Sequence, residues 1–298
     1  MLIAPEVAEA LATGRPVVAL ESTLLAHGLP RPDNLRVAGL IESTVRDAGA
    51  VPATIAVLAG EVRVGLDQTA LERICADPGV HKLSARDLPV ALARGMDGAT
   101  TVASTAVLAA RAGIAAFATG GLGGVHRLAR QSWDESADLV TLAGTHILVV
   151  CAGVKSILDV GATLERLESL SVTVLGWQTD RFPGFYLTDS GFAVDWRVDT
   201  AAEVAAVVAA RRAFGGGAVL VANPLPDTEQ LDPASHDEAL ASGLAGMVRD
   251  GVHGKAVTPY LLDHFHRTTA GASRDVNVRI ILRNAALAAQ LAAAMATA

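Results

Sequence analysis

"VVCAGVKSILDVG", residues 149–161, runs from an unbroken apolar stretch through a small-residue turn into the start of a helix, with one charged side chain, Lys155, at the junction. A continuous apolar run, as opposed to an alternating one, is what a strand buried on both faces requires. The pattern recurs at "VVAL" (17–20), "TIAVLAG" (54–60), "AAFATGG" (115–121), "ILVVCAG" (147–153), "TVLGWQT" (173–179) and "GAVLVANPLP" (217–226), with alanine-rich helical stretches between. Such an alternation predicts an α/β chain with a mostly parallel central sheet covered by helices on both faces. No low-complexity linker or internal repeat divides residues 1–298, which read as one domain ending in a helical tail, "NVRIILRNAALAAQLAAAMA".

The chain has 298 residues, is 51% hydrophobic with only 4% aromatics, and carries a formal net charge of −7. Its core must therefore be filled by Val, Leu, Ile and Ala, and the absence of a basic cluster argues against nucleic acid as a main partner. Cys75 and Cys151 lie in apolar surroundings without metal-type spacing, as in a reduced intracellular protein. "MLIAPEVAEALATG" carries acids where a basic leader would stand, and no uninterrupted apolar run suits a bilayer, so the expected location is cytoplasmic, away from membranes.

Ligand sites in parallel sheets collect at the carboxyl ends of the strands, and the chemistry-bearing residues cluster at those places. Of 24 basic residues only three, Lys82, Lys155 and Lys255, are lysines. Arginine cannot replace lysine where a neutral amine is needed, so each lysine is a candidate for chemistry. Lys155 stands at a buried strand end before a helix, a setting that favours the neutral, nucleophilic amine; the alternative is an ion pair with Asp159. Glu21 leaves the strand "VVAL" as either a proton-transferring carboxylate or a cap for the next turn. Lys82 either holds a phosphate or shuttles a proton, as a third catalytic candidate beside Lys155 and Glu21, or pairs at the surface with Asp87. Lys255, ahead of a helix start marked by Thr258 and Pro259, reads as structural or subunit-bridging.

"ATGGLGGVHR" follows a strand with glycines whose N–H groups could converge on an anion, with Thr119 before it and His126 and Arg127 behind. It is neither of the familiar nucleotide loops, and a sugar phosphate is the better fit for it. "WDESADL" spaces Asp134 and Asp138 four apart, with Ser136 placed to cap a helix. Paired carboxylates without Cys or His partners suit a hard cation such as Mg²⁺ or Mn²⁺, or else an acidic first turn complementing a helix dipole. Asn277 and Asn284 could offer amides to a ring edge or anchor the last helix.

Taken together, "ALESTLLAHGLPRPDN", "VPATIAVLAGEVRVGL", "HKLSARDLP", "GATTVASTAVLAARAGI", "FATGGLGGVHR", "SADL", "VVCAGVKSILD", "LVANPLP" and "TPYLL" resemble the pseudouridine-5′-phosphate glycosidase family from about residue 5 to about residue 295. The resemblance implies an α/β/α sandwich, a homotrimer, Mn²⁺, and reversible C–C bond chemistry between ribose 5-phosphate and uracil. It places Lys155 as Schiff-base nucleophile, Glu21 as proton donor, Lys82 and Val102 at substrate, Asp134 on the metal, Ser136, Ala137 and Asp138 in a substrate-binding segment, and Asn277 facing the base. Thr119 and His126 are taken as further substrate contacts.

The sequence departs from the family pattern at Leu128, Arg130 and Glu135, where Gly, Glu and Ile are usual, at Val154 for Ala, and at Ala285 for Asn. With the sugar-phosphate residues kept, these departures are expected to lie near the aglycone. The leading expectation is thus a C-glycosynthase of the alnumycin type, joining ribose 5-phosphate to an aromatic polyketide in antibiotic biosynthesis; the alternative is the uracil-releasing glycosidase. A non-catalytic sugar-phosphate sensor would not need both Glu21 and Lys155.

Overall fold

The computed structural model describes residues 1–297; of Lys255 only the main chain is described, so its expected bridging role lies outside the described residues. One eleven-stranded sheet organises the chain. Its strands are β1 (Leu2–Ile3), β2 (Val17–Glu21), β3 (Val51–Leu58), β4 (Glu61–Val64), β5 (His81–Leu83), β6 (Gly98–Thr100), β7 (Ala116–Ala118), β8 (Leu148–Cys151), β9 (Thr173–Trp177), β10 (Trp196–Val198) and β11 (Val219–Ala222). They lie in the order β1-β4-β3-β2-β7-β8-β11-β9-β10, with β6 beside β3 and β5 beside β6. Pairing is parallel except where β3 meets β4 and β6. The six expected strands are all present as β2, β3, β7, β8, β9 and β11; β1, β4, β5, β6 and β10 add to them.

Alternate residues along each buried strand serve opposite faces. Val17, Ala19, Ile55, Val57, Val149, Cys151 and Leu220 pack into one layer, while Val18, Leu20, Ala56, Leu58, Leu148, Val150 and Val221 pack into the other. The first layer is covered by α1 (Pro5–Ala12), and the second by α2 (Asp33–Asp47) and α3 (Gln68–Ala76). Further along, α4 (Leu88–Ala93), α5 (Val102–Arg111), the short α6 (Ala129–Ser132), α7 (Ala137–Ala143) and α8 (Val160–Ser169) follow on the first side. Next come α9 (Ala201–Phe214) on the second side, and α10 (Pro233–Arg249) and α11 (Val257–Thr268) on the first.

The expected terminal tail is instead a core element. α12 (Ala272–Ala296) gives Val276 and Ile280 to one layer and Ile281, Ala285, Ala288 and Leu291 to the other. Among the described residues it is the one helix of a length and apolar content that would suit a bilayer, but half of that apolar stretch is buried inside the fold. It packs on α2, α9 and the strands β2, β7 and β8, and so brings Asn277 and Asn284 to the carboxyl ends of the central strands.

Candidate active site

A cavity of about 620 Å³ opens at the carboxyl ends of β2, β5, β7 and β8. Lys155, Glu21, Lys82, Val102, His126, Asp134, Ser136, Ala137, Asp138 and Asn277 all line it, although they span more than 250 positions of sequence. Parallel strands emerging side by side explain this: each delivers its next loop to the same edge.

Glu21 is the last residue of β2 and accepts a hydrogen bond from Thr119 Oγ1 across the β2–β7 pair. It is not a cap for the following turn. Burial pushes its carboxyl above the ordinary range, against the opposing pull of Lys155, the Thr119 hydroxyl and Lys82. A carboxyl held in this way keeps its proton to higher pH, as a proton donor must. Thr119 itself is fully buried and stands behind Glu21, outside the cavity wall, so the expectation of a direct substrate contact is corrected to a contact with Glu21.

Lys155 sits in the turn between β8 and α8, half-buried, its Nζ donating to the Gly121 carbonyl at 2.6 Å. The helix starts later than expected. It begins at Val160, with Asp159 as N-cap accepting from Ala162 N at 3.0 Å, so Asp159 is spent on the helix and is no ion-pair partner for Lys155. The amine is aimed by the turn: Lys155 N binds the Leu122 carbonyl at 3.1 Å and its own carbonyl receives Leu158 N at 2.9 Å. Gly153, at φ 79°, makes that turn possible, since a Cβ there would stand 2.1 Å from the Pro183 carbonyl oxygen.

Lys82 is the middle residue of β5, and Asp87 closes the next turn by accepting from Ser84 N at 2.9 Å. The glycine turn after β7 differs from the anion cradle expected of it. Leu122 N binds Gly153 O, Gly123 N binds Asp138 Oδ2 at 2.8 Å, and Val125 N binds Thr163 Oγ1 at 2.9 Å. One of the glycine N–H groups, that of Gly123, is thus taken by the protein's own carboxylate. Asp138, buried on α7, also accepts from Ala103 N at 2.9 Å and thereby ties the turn to the first residues of α5.

Ser136 caps α7 as expected, its hydroxyl accepting from Asp138 N at 3.2 Å. Asp134 lies ahead of the helix, so the two aspartates share no helical face. Its carboxylate approaches His126 Nδ1 at 3.9 Å and faces the cavity. Burial lowers the pKa of His126, with Lys82 adding to the effect and Asp134 opposing it. Among the described residues no three His, Cys, Asp or Glu side chains converge as a ligand set. Asp134 remains a hard oxygen donor not committed to a cap, the donor type that suits a cation keeping most of its waters.

Two wall residues had no local signal in the sequence. Phe185, a non-glycine residue at φ 62°, packs so closely that a Cβ on Gly121 would stand 2.6 Å from its ring. Arg166 of α8 pairs with Glu135 at 2.9 Å on the cavity rim. Of the five departures from the family pattern, only Glu135 lines the cavity; Val154 and Ala285 are fully buried in the core, while Leu128 and Arg130 stand outside the wall. The expectation that they cluster at the aglycone is corrected accordingly.

The model of the family described as indigoidine synthase A like protein matches residues 6–294. A pseudouridine-5′-phosphate glycosidase from Salinispora tropica is 67% identical over 98% of this chain and 90% of its own length. One of the same name from Streptomyces griseus is 59% identical over all of this chain and 93% of its own length. The crystal structure of the prealnumycin C-glycosynthase AlnA in complex with ribulose 5-phosphate superposes with a TM-score of 0.92 at 40% identity, over 99% of this chain and 97% of that one. An indigoidine synthase A-like protein from Thermotoga maritima gives 0.88 at 33% identity, over 95% and 94% of the two chains. With this fold, this cavity and these relatives, the chain belongs to the indigoidine synthase A-like family of enzymes that make and break glycosidic bonds.

Proposed function

We propose that the chain cleaves pseudouridine 5′-phosphate reversibly to uracil and ribose 5-phosphate, and that the aromatic-acceptor reaction expected from the sequence gives way to this one. The observation that carries the choice is that four of the five departures lie outside the cavity wall, leaving Glu21, Lys82, Asp134, Lys155 and Asn277 around the site. The 67% identity to a relative of that name, against 40% to AlnA, supports the same choice.

A C-glycoside has no leaving oxygen to protonate, so the two-carboxylate route of O-glycosidases is closed to it. Protonated Glu21 assists opening of the ribose ring, and the Lys155 amine adds at sugar C1. When the C–C bond breaks, its electron pair returns to the uracil carbon, which takes a proton, and the sugar is left as an imine on Lys155. Water then adds to the imine and releases ribose 5-phosphate and the free amine. Lys82 and His126 flank the sugar phosphate, and Ser136, Ala137 and Val102 shape its surroundings. Asp134 would hold a divalent hard cation such as Mn²⁺, which when bound supplies positive charge for substrate oxygens. Homotrimeric assembly is carried over from the family resemblance, and a cytoplasmic setting from the two free cysteines in apolar surroundings.

The test has two arms. Pseudouridine 5′-phosphate with Mn²⁺ should release uracil briskly; negligible turnover would refute the substrate assignment. Borohydride with ribose 5-phosphate should add a pentose-phosphate mass to the peptide holding Lys155, and labelling elsewhere, or none, would refute the imine.

A further inference from the structure

Behind the cavity wall runs a buried polar chain that the reaction steps above do not use. Thr119, at the end of β7, donates its hydroxyl to Glu21 Oε1. Its carbonyl accepts from Asn284 Nδ2 at 2.8 Å, and the same amide reaches the Gly120 carbonyl at 3.3 Å. Asn284 Oδ1 accepts from Asn223 Nδ2 at 3.0 Å, and Asn223 is fixed by its own N–H on the Cys151 carbonyl at 2.8 Å. The chain thus crosses from α12 past the ends of β11 and β8 to β7 and then β2. Thr119, Asn223 and Asn284 are buried and absent from the cavity lining, so none of them is placed to touch substrate.

An amide with a donor on one side and carbonyls on the other has one satisfied orientation. Asn284 therefore pins the main chain at Thr119–Gly120, and that main chain aims the Thr119 hydroxyl. Seven residues earlier on the same helix, Asn277 faces the cavity two turns away, so one face of α12 serves both the wall and the support behind it.

We infer that Thr119 and Asn284 are positioning residues for Glu21, fixing the direction of its Oε1 and the pH at which it gives up its proton. The inference rests on Glu21 acting as proton donor. The charged groups facing Glu21 are Lys155 from the turn after β8, Lys82 from β5 and Asp138 from α7; the lysines favour its ionised form and Asp138 disfavours it. Thr119 donates, so it too favours the ionised form. Without the hydroxyl, the carboxyl keeps its proton to higher pH.

The experiment is the pH profile of pseudouridine 5′-phosphate cleavage for the wild type, Thr119→Val, Thr119→Ser and Asn284→Leu. The descending limb, where the proton donor is lost, should move to higher pH by about one to two units in Thr119→Val. Thr119→Ser, which keeps the hydroxyl, should restore the wild-type limb. Asn284→Leu should move it in the same direction while ribose 5-phosphate and borohydride still label Lys155. An even loss of activity across all pH, with the limb unmoved in both Thr119→Val and Asn284→Leu, would overturn the inference. Failure of Lys155 labelling in the wild type would instead count against the underlying reaction.

Discussion

Glu21→Gln should make the protein more stable and far less active, and the stability gain should depend on pH. The glutamine carbonyl can still accept from Thr119 Oγ1, so the packing around β2 and β7 is kept while the buried charge is removed. Burial holds the Glu21 carboxyl above its ordinary range, so between that range and its folded value the native chain binds a proton the unfolded chain has released. Wild-type stability therefore falls as pH rises through this window, by about 1.4 kcal/mol for each unit of displacement. At pH 8 the variant should be more stable by ~1–3 kcal/mol, the usual cost of an incompletely compensated buried polar group. For 298 residues the unfolding entropy is about 0.6 kcal/mol per degree, so the gain in Tm is roughly 2–5 °C. Below about pH 4, where the wild-type carboxyl is protonated in both states, the difference should vanish. Loss of the acid should lower kcat by about 10²–10⁴-fold. Thermal melts of both proteins from pH 4 to pH 8 read the effect directly. A gain that is the same at every pH, or absent at pH 8, would refute the view that Glu21 is a destabilised buried acid.

Two further perturbations address the carboxylates of α7 and its approach. Asp138→Asn leaves one backbone N–H of Ala103 or Gly123 facing an amide donor and should cost about 2–4 kcal/mol of unfolding free energy in a denaturant titration; a loss below 1 kcal/mol would show that the clamp is dispensable. Asp134→Asn should raise the Mn²⁺ concentration needed for half-maximal turnover at least tenfold without altering stability, as read by metal titration of the chelator-treated enzyme and by melting; an unchanged metal requirement would move the cation elsewhere.

The sheet was legible because its central strands are apolar on both sides, a pattern that composition and length alone can carry; Lys155 and Glu21 were legible because they stand at the ends of such strands, and Lys82 because lysine is so scarce in the chain. Less visible were features set by pairing across the chain. Nothing in the sequence near residue 119 distinguishes a hydroxyl facing substrate from one facing Glu21, because the answer depends on β7 lying beside β2. Asp138 resembled a metal ligand for the same reason: its two backbone donors come from positions 103 and 123. Departures from a family pattern were assigned to the aglycone by sequence proximity, whereas Val154 and Ala285 turn inward to the core. Phe185 reaches the wall through a left-handed backbone that no local residue preference announces.

The position of α12 also fixes when the enzyme can first work. Every strand of the sheet is synthesised before this helix, yet the helix supplies Asn277 to the cavity and Asn284 to the support of Glu21, and fills part of both hydrophobic layers. Chains fold in the order in which they leave the ribosome, as far as their contacts allow. A nascent chain that has already placed Glu21, Lys82 and Lys155 together thus still has an open layer and an unanchored β7 end. The Lys155 amine stays without its full surroundings until α12 has packed, so the helix that follows every strand in sequence is also the one that completes the cavity and its support.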